Sequence, residues 1–287
     1  MHVFPDKTDI PMNKAKVLHV SQEIIPFLPE TGISKTSRFL PQGIHEKGKE
    51  IRVFMPRYGK INERRHQLHE VIRLSGMNLI INDTDHPLII KVASIPSARM
   101  QVYFIDNEEY FKRKAVLRDD KGELFQDNDE RSIFFIRGVL ETVKKLGWTP
   151  DIIHCHGWMS ALMPLYVKEY YKNDDHFADT KVVYSLYDEG FDGGLNPELA
   201  KKVTMDGIDS SHVKAIEDPT FENMNMIAAQ HADGVIMSAP EGHSSIINAV
   251  NEANKSFLPY SGEDAFVGDI SNFYDAILEG KSALVEE

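Results

Sequence analysis

The chain has 287 residues, of which 44 are acidic and 32 basic, giving a formal net charge of −12. That acidic excess argues against broad electrostatic binding to nucleic acid or to an anionic membrane surface, and a single cysteine, Cys155, excludes an internal disulfide and fits a reducing compartment. No apolar run approaches the roughly 20 residues needed to span a bilayer, and residues 1–15 lack the apolar segment of a signal peptide, so cytoplasmic residence is the default expectation.

Residues 1–13, with Pro5 and Pro11, read as a loose leader, and residues 14–287 as one domain. Lys16 to Ser21 has a strand pattern. A loop marked by Pro26, Pro29 and Gly32 leads into a helix over Ser34–Lys47, which Gly48 would stop. Pro41 inside it predicts a kink or a split. Ile51 to Met55 is the next strand, which completes the grammar of a βαβ unit. Within residues 60–105, the runs Val71–Leu74, Leu88–Val92 and Gln101–Ile105 read as a hairpin or meander inserted beside the main sheet. The clearest helix covers Asp127–Leu146, with Ile133, Ile136, Leu140 and Val143 at 3–4 spacing and Gly147 at its close.

The alternation then resumes. Asp151–Cys155, Lys181–Leu186 and Gly234–Ser238 read as strands, and Ser160–Tyr171 and Phe221–His231 as helices. Residues 187–220 form a long irregular link, and such links are commonly functional. Asn272–Leu284 has the apolar stripe of a last helix, packing back on the domain. Short hydrophobic strands alternating with helices imply an α/β, Rossmann-like, mostly parallel sheet with helices on both faces. Ligands of such sheets bind beyond the carboxyl ends of the strands, which directs attention to residues 21–36, 127–131, 155–160 and 187–195.

Several motifs in these places resemble bacterial glycogen synthases and plant starch synthases. Ser21-Gln22-Glu23, Pro26-Phe27 and Thr31-Gly32, then Met55-Pro56-Arg57-Tyr58-Gly59, follow that family's opening. Asp127-Asn128 with Arg131 follows its D-N-x-x-R helix entry. Asp151-Ile152-Ile153-His154-Cys155-His156-Gly157-Trp158 follows its D-x-x-H-x-H-D-W. Ala232-Asp233 through Ser238-Ala239-Pro240 follows its A-D-x-V-x-x-V-S-P. The order is the family's throughout.

The resemblance implies glucosyl transfer from ADP-glucose or UDP-glucose to the non-reducing end of an α-1,4-glucan, on a two-domain GT-B fold. It implies a glucan or maltooligosaccharide as partner and no cofactor, ADP-glucose being a substrate. The matched region corresponds to the first, amino-terminal domain. The 47 residues after Pro240 are too few for a second such domain. A catalytically inactive glucan-binding or regulatory subunit, a homodimer, and a pairing with a separate donor-binding chain are the alternatives. The family's motifs carry over Asp127 and His156 as catalytic candidates, and Thr31, Gly32, Trp158 and Arg131 as substrate-binding candidates.

The departures are specific. The lysine expected before Thr31-Gly32 is Glu30, which reverses the charge facing a donor phosphate. The second glycine is Ile33, the aspartate of the His-Asp-Trp-His element is Gly157, and its last histidine is Met159. The residues themselves also admit plainer roles. Asp127 precedes a helix and suits a cap. Thr31-Gly32 can be a turn before a cap. Trp158 can be core. His154 and His156 alternate on one side of a strand, but the sequence places no third ligand and zinc needs three or four, so no metal is expected and buried, hydrogen-bonded histidines are the preferred reading.

Overall fold

A computed structural model describes residues 14–262 and 266–280. The first half comprises β1 (Lys16–Ser21), α1 (Gly32–Glu46), β2 (Glu50–Pro56), the single turn α2 (Glu63–His66), β3 (His69–Glu70), β4 (Met77–Ile81), β5 (Thr84–Ile95), β6 (Met100–Asp106) and the single turn α3 (Glu108–Phe111). Then come α4 (Asn128–Lys145), β7 (Ile152–His156), the short α5 (Met163–Leu165), β8 (Lys181–Leu186), α6 (Leu199–Met205) and α7 (Phe221–His231). The last elements are β9 (Gly234–Met237), α8 (Ser244–Glu252), β10 (Ser256–Leu258) and α9 (Phe266–Leu278).

The strands form a mixed sheet in the order β10-β9-β8-β7-β1-β2-β6-β5-β3, with β4 paired to β5. Pairing is parallel from β10 to β6 and antiparallel from β6 onward. From β1 the chain moves outward to β2, and later returns to place β7 on the other side of β1. The crevice at the carboxyl ends of β1 and β7 is therefore the switch point of this sheet.

Strand alternation sends Val17 and His19 to one face of β1, and Leu18 and Val20 to the other. The first face packs under α1 and α9, with Val17, Leu40, Ile44, Ile152, Phe273 and Ile277 as its core. A Cβ on Gly43 would lie 2.5 Å from Val267, so the glycine lets these two helices approach. The opposite face is covered by the larger cluster, to which α4 contributes Ile133, Phe134, Ile136 and Leu140.

Several expectations differ from what is observed. Pro41 does not split α1, which runs unbroken from Gly32 to Glu46; Leu40, Pro41 and Ile44 are buried, and that packing offsets the missing hydrogen bond. Val71–Leu74 is a turn followed by β4, because alternation alone does not locate a strand's ends. Residues 160–171 divide into α5 and a π-helical turn, Tyr166–Tyr170, after Pro164. The 187–220 link contains α6. The final helix starts earlier, at Phe266, and residues 281–284 of the expected span, like the leader 1–13, lie outside the described residues.

Candidate functional site at the strand ends

At the switch point the chain leaving β1 crosses the end of β7. The Gln22 backbone N–H donates to the His156 carbonyl at 2.9 Å. The Gln22 side-chain carbonyl accepts from the Met159 N–H at 3.3 Å. Gly157 follows β7 with φ 83° and ψ 158°, a region open essentially only to glycine. A Cβ there would meet the Gln22 Cβ at 2.8 Å. The glycine that replaces the family's aspartate is thus required by the backbone and by Gln22.

Beside this crossing, α1 begins. Thr31 is its N-cap: its hydroxyl oxygen accepts from the Ser34 N–H at 3.0 Å, while the Ser34 hydroxyl accepts from the Thr31 N–H at 2.8 Å. The Thr31 hydroxyl donates to Glu23 at 2.8 Å. The Ile33 N–H donates to Glu189 Oε1 at 3.3 Å, and the Gly32 N–H also faces that carboxylate. A helix start offers unpaired N–H groups and positive potential to an anion. Here a glutamate from the loop after β8 takes that position. Burial raises the pKa values of both Glu23 and Glu189 above the ordinary carboxylate value; the Thr31 bond opposes this at Glu23, and the charge of Glu189 adds to it. Neither Glu23 nor Glu189 was singled out as a site residue from the sequence; Glu189 lies 156 positions from Ile33 and only the fold brings them together.

Asp127 occupies the N-cap position of α4 but makes no capping hydrogen bond. Its carboxylate instead takes a two-pronged pair with Arg113, at 2.9 and 2.7 Å, and the Arg113 guanidinium lies 4.1 Å from the Phe125 ring centre. Arg131 is fully buried. It donates to the carbonyls of Tyr110 and Val116 and to Asn128 Oδ1, at 2.9, 2.8 and 2.6 Å. Its guanidinium holds the 110–117 loop in place, and burial lowers its pKa to about 10. The same loop presses on Gly59, where a Cβ would lie 2.3 Å from the Lys112 and Arg113 carbonyls.

His156 is fully buried. Its Nδ1 pairs with the Tyr187 hydroxyl at 2.9 Å and its Nε2 faces His19 Nδ1 at 3.4 Å. Burial pushes its pKa down to about 3, so the ring is neutral near pH 7. His154 is engaged at both ring nitrogens, by the Tyr274 hydroxyl at 2.5 Å and the Ser185 hydroxyl at 2.8 Å. The structure supplies the third histidine that spacing could not: His19, opposite His154 in the β1–β7 register. A metal among these three would have to displace one of the two bonds at His154. Trp158 is buried edge-on to Phe191, with centroids 4.9 Å apart, and does not line the crevice surface. His156 and Trp158 are therefore buried, Thr31 and Gly32 open α1 with Thr31 half-buried and Gly32 exposed, and Asp127 lies with Arg113 at the entry to α4.

Next to the first turn of α1 is a pocket of about 210 Å³, bounded by the ends of β9 and β10 and the start of α9. Thr36 and Ser238 give it polar groups, and Phe39 and Tyr260 give it aromatic faces that are 46% and 41% exposed.

The open, mostly parallel sheet with its crevice at the β1–β7 switch point is the architecture of a GT-B glycosyltransferase lobe. Among solved structures, the catalytic domain of starch synthase IV from Arabidopsis thaliana, bound to ADP and acarbose, superposes with a TM-score of 0.68 at 20% identity, covering 88% of this chain and 52% of that one. A family model described as the starch synthase catalytic domain matches residues 16–250. The glycogen synthase of Chlorobium limicola is 39% identical over 221 residues, which is 76% of this chain and 44% of that protein. The glycogen synthase of Chlorobaculum tepidum is 41% identical over 202 residues, 67% of this chain and 41% of that protein. The chain belongs to the glycogen/starch synthase family, and it spans less than half the length of these curated relatives. Among the described residues no helix is long and apolar enough to cross a membrane.

Proposed function

We propose that this chain forms the acceptor-side lobe of a glycosyltransferase that moves glucose from ADP-glucose to an α-1,4-glucan in the cytoplasm. The observation that carries this is the match of residues 16–250 to the starch synthase catalytic domain, with the crevice placed where that fold binds its ligands. The local chemistry agrees. Glu23, Glu189 and Asp127 offer acceptors to sugar hydroxyls, and the exposed rings of Phe39 and Tyr260 offer apolar faces to sugar C–H groups. Asp127, steered by Arg113, is a candidate polar group that reaches solvent, with its side chain 30% exposed. His156 and Arg131 act by positioning. Nucleotide binding falls mainly to a second lobe facing the crevice, whether that lobe comes from the same polypeptide, a second copy or a separate chain.

Electrophoresis through a gel containing glycogen tests the glucan reading. Retardation that grows with glycogen concentration is expected, and unchanged mobility at high glycogen refutes it. Incorporation of radiolabelled glucose from ADP-glucose into glycogen, with a second lobe present, tests the transfer reading.

A further inference from the structure

Far from the crevice, near the amino ends of β8 and β9, three segments meet at Glu169, His212 and His231. Glu169 lies in the π-helical turn Tyr166–Tyr170, His212 in the turn Ser210–His212, and His231 ends α7. All three are half-buried, and their ligand atoms lie within 4.8 Å of one another.

One hydrogen bond fixes the His231 tautomer. His231 Nδ1 lies 3.0 Å from the Ile227 carbonyl, which can only accept, so that nitrogen bears the hydrogen and Nε2 carries a lone pair. His231 Nε2 faces His212 Nδ1 at 3.5 Å, and His212 Nε2 lies 3.4 Å from Glu169 Oε2. Either a proton on His212 Nδ1 or a cation can occupy the gap between the two rings. Bonds of about 2.0–2.1 Å from one zinc ion at a tetrahedral angle place two imidazole nitrogens about 3.3–3.4 Å apart, which matches the observed gap. A ligating histidine usually donates its other N–H to a carbonyl or carboxylate, as His231 does to Ile227.

The geometry points to a divalent-cation site of zinc type, with His231 Nε2, a His212 ring nitrogen and a Glu169 carboxylate oxygen as its three protein ligands and water completing the coordination. The opposing charges are Lys255, held by the Gln230 and Ala232 carbonyls at 2.6 and 2.7 Å, and Lys172, 3.6 Å from Glu169. The bound ion would staple the 187–220 link to α7 and to the turn after α5. It is a structural site, remote from glucosyl transfer.

Calorimetric titration of the whole chain with zinc chloride, alongside thermal unfolding with and without zinc, tests it. Saturable one-to-one binding and a raised melting temperature are expected. His231→Gln, His212→Gln and Glu169→Gln should each weaken binding at least about tenfold. Magnesium, which prefers oxygen ligands, should not substitute. These side chains are partly exposed, and each variant's melting temperature without zinc shows that it folds. No saturable binding, as a shared proton would give, overturns the proposal. So does unchanged affinity in His231→Gln, which would place zinc at the buried histidines instead.

Discussion

Glu189 and Gly32 are in direct apposition: a Cβ on Gly32 would stand 2.5 Å from Glu189 Oε1. The carboxylate fills the space at the start of α1 that a side chain or an incoming anion would otherwise occupy.

This apposition predicts coupling. Gly32→Ala displaces a flexible carboxylate rather than backbone, so its cost is about that of losing the charge at the helix start, roughly 0.3–1 kcal/mol. In a Glu189→Ala background the same substitution should cost less, because nothing remains to displace. Urea denaturation of the two single variants and the double variant measures this; strict additivity would contradict it.

The same carboxylate should repel phosphate. Two like charges about 4 Å apart cost roughly 1 kcal/mol in water and about 4 at an effective dielectric of 20. Glu189→Gln is therefore expected to tighten binding of inorganic pyrophosphate by about fivefold or more, read by calorimetry. Equal affinity in the two proteins would mean that the anion does not approach α1.

Restoring the family's aspartate by Gly157→Asp should destabilise the chain. With φ 83° and ψ 158°, and a Cβ that would lie 2.8 Å from the Gln22 Cβ, a cost of order 1–3 kcal/mol is expected from the backbone alone. Thermal unfolding of Gly157→Ala, which adds the Cβ without charge, separates sterics from electrostatics.

Lys202 of α6 pairs with the fully buried Asp129 at 2.6 Å and with Glu130 at 2.7 Å. Removing one member of a buried pair leaves an uncompensated charge, so Lys202→Met should cost about 3–5 kcal/mol. Adding Asp129→Asn should recover part of that loss. Equilibrium unfolding in urea gives both values.

Acid should weaken the fold through the buried histidines. His19, His154 and His156 have pKa values lowered first by burial, His156 to about 3. An unfolded histidine titrates near 6.5. Between those values the unfolded chain binds protons that the folded chain does not. Stability is therefore complete above about pH 6.5 and falls as pH drops, by up to roughly 1.4 kcal/mol per pH unit for each histidine. Glu23 and Glu189, with raised values, act in the opposite direction above the ordinary carboxylate range. The clean measurement is the difference between the native chain and His19→Leu: the variant's melting temperature should decline less between pH 7 and pH 5. Identical slopes would mean that His19 titrates normally.

Chemical order along the chain made much of this protein readable before any coordinates. The βα alternation and the motif order from Ser21 to Pro240 indicate the sheet and the family, because hydrophobic period and turn residues are local properties. The apolar spacing from Ile133 to Val143 marks α4 for the same reason. Local pattern gave no warning of α6, whose Lys202 is anchored by Asp129 from another element, nor of the unbroken α1, where burial outweighs the defect at Pro41.

The site divides along the same line. Sequence alone marked Thr31, Gly32, Asp127, Arg131, His156 and Trp158 through their motifs, since a motif records residue type and spacing. Only the tertiary structure decided which of them are buried and which reach the surface. It also brought Glu189 to the start of α1, Arg113 to Asp127 and His19 to His156. Those pairings depend on strand order and helix packing, and they join residues whose separation along the chain carries no local signal.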